Sequence, residues 1–304
     1  MTLSTNAYLI VDAGGTFLKS AVLNCQGEVY PGSGMSVNSF SDAPKEDILR
    51  SFREIITMGM AFIKKHAMII SGLGLAFPGP FDFLKATSLM KHKFQSIYGF
   101  NLREYFYQLP GMPDNVPVRF IHDANAVLAG ELWKGNAAGF ENVAVVTLGT
   151  GLGFAISEHG KILRNHLGSP GIAIYNLPYR DGILEDYVAK RGFIKTYCEL
   201  RGKSASNDIS VSEIGEMADN GDSISIQTFN EVGKILAESL QNILYEKNIQ
   251  CLLFSGQISK SFSHMETALK DGLRMVNSLQ RIAVVKSIDN AALLGALSNV
   301  VADL

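Results

Sequence analysis

Apolar residues cluster along this chain in two distinct spacings. Short dense blocks, "YLIVD" (8–12) and "FLKSAVL" (17–23), read as two strands, and the turn signal "NCQGE" after Leu23 predicts a third beyond it. Residues 44–65 instead place Ile48, Phe52, Ile55, Ile56 and Met60 on one helical face. Pro44, Glu46 and Asp47 suit the start of that helix, and Lys64 and Lys65 its end. "MIISGLGLAFPGP" (68–80) reads as a buried strand ending in a Gly/Pro turn. Residues 117–135 read as a short strand followed by a helix that begins near Asp123, and 141–163 as strand, glycine turn, strand. Beyond these, "ILEDYVAKRGFIKTYCEL" and "QTFNEVGKILAESLQNILYEKN" have helical periodicity. "CLLFSG" (251–256) is a strand ending at a glycine, and "NAALLGALSNVVADL" a closing helix.

The 141–163 stretch repeats the opening pattern: strand, Gly/Thr turn, second strand, then a glycine-bearing turn at Gly27 or Gly160. Two related halves are therefore expected, each opening with a hairpin whose tip faces one cleft. No linker or low-complexity tract separates them. A chain of 304 residues with 47% hydrophobic and 18% charged residues can bury a sizeable core. A net charge of -2 gives no electrostatic case for nucleic acid or an anionic membrane surface. Cys25, Cys198 and Cys251 lie far apart, which argues against a disulfide framework or a cysteine zinc site. The first residues lack a basic leader pattern, and no apolar run is long enough to span a bilayer, so a cytoplasmic location is expected.

Any one glycine turn is explained by hairpin chemistry, since glycine accepts positive φ. In "LIVDAGGTFLKSAVL" more is offered. Gly14 and Gly15 allow close backbone approach, and their N–H groups with the Thr16 hydroxyl suit phosphate oxygens. Asp12 at the strand end suits Mg²⁺, directly or through water, and Lys19 lies just beyond. "TLGTGLG" supplies Thr147, Gly149, Thr150, Gly151 and Gly153 in the same manner. Two such hairpins would hold a triphosphate. No G-K-[ST] follows either, so neither is a Walker A loop.

Together these segments resemble the ROK family of sugar kinases and repressors, within the actin/hexokinase/Hsp70-like ATPase superfamily. "DAGGT" resembles the first phosphate motif, "GLAFPGPFD" the G-x-x-x-P-G-P segment, and "HDANAVLAGE" the D-A-N-A-x-x-x-G-E segment. "TLGTGLGFAISEHGKIL" resembles the second phosphate motif, and "LLFSGQIS" stands where the family has its adenosine-side G-G-G-[IV]-S, which marks Gly256 and Gln257. The resemblance implies an α/β, two-lobed, actin-like (ribonuclease H-like) fold with duplicated halves. It implies a smaller lobe of 1–118 plus 287–304 and a larger lobe of 119–286. It further implies ATP and Mg²⁺ as cofactors, a small-molecule sugar substrate, a homodimer, and Asp123 as catalytic base. By position alone Asp123 is equally a helix N-cap.

Three features depart from the family pattern. His122 replaces the Asn that glucokinase-like members usually carry before the catalytic Asp; it suits a sugar hydroxyl or simple packing. The G-E-[IL]-G-H segment aligns with "GIAIY", which puts Ile172 for Glu and Tyr175 for His; the register "GSPGI" also lacks both. The cysteine-rich zinc loop is missing, so no zinc site is expected. Its tail survives in "DGILED", leaving Glu185 as a sugar-binding carboxylate or as an acid placed for the helix dipole. A more apolar pocket is expected to change which sugar is accepted. Gly79 in "FPGP" suits a sugar contact or a tight turn, Asp82 and Asn101 suit the same cleft, the "KHKF" cluster (91–94) a solvated face or cleft-mouth loop, and Trp133 packing. Two other readings are a weakened sugar- or nucleotide-binding protein and a sugar-responsive repressor. For the latter, the first phosphate motif at Asp12 leaves no room for a preceding helix-turn-helix.

Overall fold

The computed structural model describes residues 5–202 and 209–302. They form two compact units: 5–133 with 164–169 and 290–302, and 134–163 with 170–202 and 209–289.

The first unit opens with β1 (Asn6–Ala13), β2 (Phe17–Leu23) and β3 (Met35–Asn38), followed by helix α1 (Lys45–Lys65) and strand β4 (Ile69–Phe77). A small hairpin, β5 (Phe81–Asp82) with β6 (Thr87–Ser88), and helix α2 (Leu102–Tyr107) precede β7 (Val118–His122) and α3 (Asp123–Lys134). The sheet order is β3-β2-β1-β4-β7, with β4 and β7 parallel to their neighbours and the first three strands antiparallel. The predicted face of α1 is the buried one: Ile48, Phe52, Ile55, Ile56 and Ile63 join the core, and Met60 packs at its edge. Phe52 contacts Phe77, Phe94 and Phe106, so that core is largely aromatic.

The third strand comes later than the "NCQGE" turn suggested. Val29 makes only an isolated bridge to Leu23, and Gly32 at φ 75 turns the chain before β3. Pro31 in that turn cannot donate a ladder hydrogen bond. Instead the buried Ser33 hydroxyl bonds both backbone groups of Val22.

The second unit contains β8 (Val143–Leu148), β9 (Leu152–Glu158), β10 (Lys161–Ile162), and a short hairpin of β11 (Pro178–Tyr179) and β12 (Gly182–Ile183). Helices α4 (Leu184–Val188), α5 (Lys190–Leu200), α6 (Val211–Asp219) and α7 (Ser223–Glu246) follow, then β13 (Cys251–Ser255), α8 (Ser263–Gly272) and β14 (Arg281–Val284). Its sheet order, β10-β9-β8-β13-β14, has the same connectivity and strand directions as the first. The helix expected across 183–200 is broken at Ala189, where ψ is -178. Gly192 allows α5 to pack on the Tyr187 backbone, which a Cβ would meet at 2.2 Å.

Helix α9 (Ala291–Val301) returns to the first unit and lies on β1, β4 and β7. Glycines set how close it comes. A Cβ on Gly74 would stand 2.9 Å from the Ala296 carbonyl, and one on Gly295 only 1.7 Å from that of Ala126 in α3. The boundary expected at 118/119 falls at the first residue of β7, which is bonded along its length to β4. Asp123 therefore sits in the first unit. So does the 164–169 segment, tied there by Phe83 N–H to Leu167 O and Asn125 Nδ2 to Gly168 O.

Candidate active site

In the first unit, β1 delivers Asp12 to the mouth of the turn, paired with Lys19 across the hairpin and with Ala76 on β4. Gly14 N–H donates to Phe17 O at 2.9 Å, and a Cβ there would meet that oxygen at 3.0 Å. The turn is braced from behind by the 39–41 segment: Ser39 and Ser41 hydroxyls donate to Gly15 O at 2.7 and 2.6 Å, and Ser39 N–H to Thr16 O. Among the described residues nothing takes the Gly15 N–H or the Thr16 hydroxyl. The carbonyl side is satisfied and the donor side is open, as an anion site requires.

Strand β7 ends at His122 and α3 begins at Asp123. Asp123 Oδ1 accepts from Ala124 N–H at 2.7 Å and lies 2.8 Å from His122 Nδ1. The Asp123 side chain is 45% exposed and that of His122 15%, so an oxygen stays reachable while the imidazole is walled in. The wall is Phe83, with ring centroids 5.7 Å apart, and Gly79, where a Cβ would stand 3.2 Å from the imidazole. Gly79 thus makes room for His122. Asp123 thus bonds the first turn of its own helix and keeps an exposed face.

The two carboxyls are shifted in opposite directions. Burial and the Asp123 charge push Asp12 up to about 6, against a smaller downward pull from Lys19. For Asp123, burial acts upward, but the His122 charge and hydrogen bond, the Ala124 N–H and Lys93 outweigh it and hold the group below its usual range. Pairs driven apart in this manner divide acid–base and metal-holding duties. Asp12 fits a divalent cation: it is a hard oxygen donor whose ionisation is opposed by a neighbouring negative charge that a cation would offset.

Lys93 differs from its neighbours in the "KHKF" cluster. Lys91 and His92 are exposed, whereas Lys93 is half-buried with its stem against Gly15. Only tertiary structure reveals this, because the loop reaches the turn through Phe94 in the core. Asp82 and Asn101 both serve local turns. Asp82 Oδ1 accepts from Leu84 and Lys85 N–H, and Asn101 caps α2 by accepting from Glu104 N–H. Trp133 packs beside Gly27. Asn125 is fully buried, and among the described residues its Oδ1 has no hydrogen-bond partner.

The second unit carries the other turn. Thr147 pairs with Gly153, and Gly149 N–H donates to Gly151 O at 3.1 Å; Thr150 is exposed. The break at Ala189 brings the N-terminus of α5 to this turn, through Lys190 N–H to Gly149 O at 2.9 Å. Glu185 braces it from below: Oε2 accepts from Leu152 N–H at 2.8 Å, and Oε1 lies 3.5 Å from Arg191. Gly256, at φ 89, follows the strand end paired with Thr147; a Cβ would strike Leu148 O at 2.2 Å. Gln257 Nε2 donates to Asp289. Ile172 packs on the core of its own unit, whereas Tyr175 is 48% exposed. Where the family has its cysteine loop, the β11–β12 hairpin is held by rings: Tyr179 meets Tyr187 edge-on at 5.0 Å, Arg180 lies over both, and Tyr187 bonds Asp181.

Two sheets of identical order, each opening with a glycine hairpin, define a protein of the actin-like ATPase fold. The chain belongs to the ROK family, whose model matches residues 8–302. It is 24% identical over 284 residues to a glucokinase of Halalkalibacterium halodurans, covering 85% of this chain and 82% of that one. It is 24% identical over 241 residues to a β-glucoside kinase of Listeria innocua, covering 77% and 76%. A solved ROK glucokinase from Streptomyces griseus, in complex with glucose and AMPPNP, superposes with a TM-score of 0.78 at 20% identity over 96% of this chain and 98% of that one.

Proposed function

We propose that this protein is an ATP-dependent carbohydrate kinase, transferring the γ-phosphoryl group to a hydroxyl of a hexose or hexose derivative. The observation that carries this reading is the arrangement of Asp12 and Asp123. They are two carboxyls whose charges interact, beside a turn with open donors; Asp123 is held below its usual range while Asp12 is pushed up to about 6. Kinship with proteins named glucokinase and β-glucoside kinase supports the reaction class.

Asp123 accepts the proton of the sugar hydroxyl as its oxygen bonds to the γ-phosphorus; the bond to the β–γ bridging oxygen breaks and ADP leaves. His122 and Ala124 N–H fix one Asp123 oxygen, which orients the other. Gly14, Gly15 and Thr16 in one unit, and Thr147, Gly149, Thr150, Gly151 and Gly153 in the other, offer donors for nucleotide phosphates. Gly256 lies on the adenosine side. Asp12 would hold Mg²⁺, directly or through water, with Lys19 close by. The ion, when bound, supplies positive charge to the phosphates. The candidate sugar contacts are Gly79 and His122 in the first unit and Tyr175 and Glu185 in the second, where Glu185 keeps lone pairs that Leu152 leaves unused. With Ile172 turned to its own core and Tyr175 in place of a hydroxyl-binding His, glucose is not expected to be the best substrate by a wide margin.

The test is ADP release across glucose, mannose, fructose, allose, N-acetylated amino sugars and β-glucosides, with Asp123→Asn as control. Sugar-dependent turnover that falls by about 10²–10⁴-fold in the variant is expected. Nucleotide binding without turnover on any sugar would favour a binding protein, the reading that the residues at 172 and 175 suggest.

A further inference from the structure

The first unit holds a half-buried cation that the reaction as described does not use. The Lys93 stem crosses the D-x-G-G-T turn: a Cβ built on Gly15 would lie 3.2 Å from its Cδ and 3.3 Å from its Nζ. Among the described residues the ammonium has no hydrogen bond and no ion pair within 4.0 Å. Its electrostatic partner is Asp123, at longer range.

This placement is built into the fold. Phe94, the next residue, is fully buried and packs against Phe52 and Phe77. Its N–H donates to Ser41 O at 2.7 Å, and the Ser41 hydroxyl donates to Gly15 O at 2.6 Å. One chain of bonds therefore fixes the lysine backbone to the turn it covers. Further along, the Ser96 hydroxyl holds Ala43 O at 2.8 Å. An ammonium held in place beside open N–H and O–H donors, without a close counter-charge, is positioned to meet an anion.

The anion it would meet is constrained from two sides. Gly15 N–H and Thr16 Oγ are open donors on the same turn, and Asp123 marks where the acceptor hydroxyl sits. Of the three phosphates of ATP, the γ-phosphoryl group is the one that must come next to that hydroxyl. We infer that Lys93 is a phosphate-binding residue that contacts the γ-phosphoryl group of the nucleotide, adding a fixed cation to the open donors of the Gly14–Thr16 turn. This rests on the kinase reading above and deepens it. Its position resembles that of no lysine predicted from the sequence motifs, since the "KHKF" segment lies about 80 residues from the turn it serves.

Equilibrium binding separates this role from others. AMPPNP and ADP, each with Mg²⁺, are titrated calorimetrically into wild type, Lys93→Met and Lys93→Arg, with thermal melts on all three. Met keeps the stem over Gly15 and removes only the charge. Lys93→Met is expected to weaken AMPPNP by about tenfold or more while changing ADP by less than about twofold, and Lys93→Arg to stay within about threefold for both. Equal weakening of both nucleotides, or no change in either, overturns the role while the kinase reading stands. A wild-type protein that binds neither nucleotide would overturn the kinase reading and this inference with it.

Discussion

At the residue scale, burial and the Asp123 charge raise Asp12 to about 6, whereas His122 and Ala124 N–H keep Asp123 ionised. The raised group has a consequence for stability. Its unfolded value is near 3.8, so the folded protein binds the proton more tightly, and stability from this group is full below that value and lost as pH rises through about 6. Removing the carboxyl charge should therefore help most above pH 6. Asp12→Asn in the metal-free protein is expected to raise Tm at pH 8 by about 2–4 °C relative to wild type, an advantage that shrinks toward pH 4. Melting curves across that range check it; a constant difference at every pH would show that the Asp12 charge is not opposed in the fold. Sequence reading reached Asp12 and Asp123 from their places at strand and helix ends. It could not reach Lys93, whose proximity to Gly15 depends on Phe94 entering an aromatic core built from α1, β4 and α2.

Among elements, α1, β4 and the two glycine hairpins were legible because their apolar spacing is long or their turns are chemically marked. What escaped was set by tertiary contact. The helix over 183–200 has no breaker at Ala189, yet it divides there because Gly192 packs on Tyr187 and the new N-terminus reaches Gly149. Helix α8, packed along α7, and the four-residue strand β14, paired with β13, are placed by those neighbours. The glycine of "DANAVLAGE" belongs here too: Gly130 and Gly295 let α3 and α9 touch, with a Cβ on Gly130 only 2.4 Å from Ala291 O. That contact holds the helix that begins at Asp123. Gly295→Ala is expected to lower stability by about 1–3 kcal/mol in urea unfolding, whereas Gly34→Ala, where a Cβ meets nothing within 4 Å, should be near neutral. Equal effects would refute close α3–α9 packing.

At the level of the whole molecule, two sheets share one connectivity and each opens with a glycine turn, the duplication expected from the hairpin patterns at 8–23 and 141–163. Strand β7 groups with the first unit because it bonds to β4, a non-local pairing that periodicity does not report. The kinase reading gives each turn a part in holding phosphate. Gly15→Val in the first unit and Gly151→Val in the second should each lower kcat/KM by about 10²-fold while both proteins keep a cooperative melt. Wild-type turnover in either variant would remove that turn from the mechanism.

The central claim is that Asp123 promotes phosphoryl transfer from ATP to a sugar. Phosphorus NMR of ATP, Mg²⁺ and the best sugar of the panel follows the transfer itself. With wild-type protein the γ-phosphate resonance should decline as a sugar phosphomonoester and ADP appear together, and with Asp123→Asn none of the three should change on the same timescale. Inorganic phosphate in place of the sugar ester, or transfer undiminished in the variant, would contradict the account.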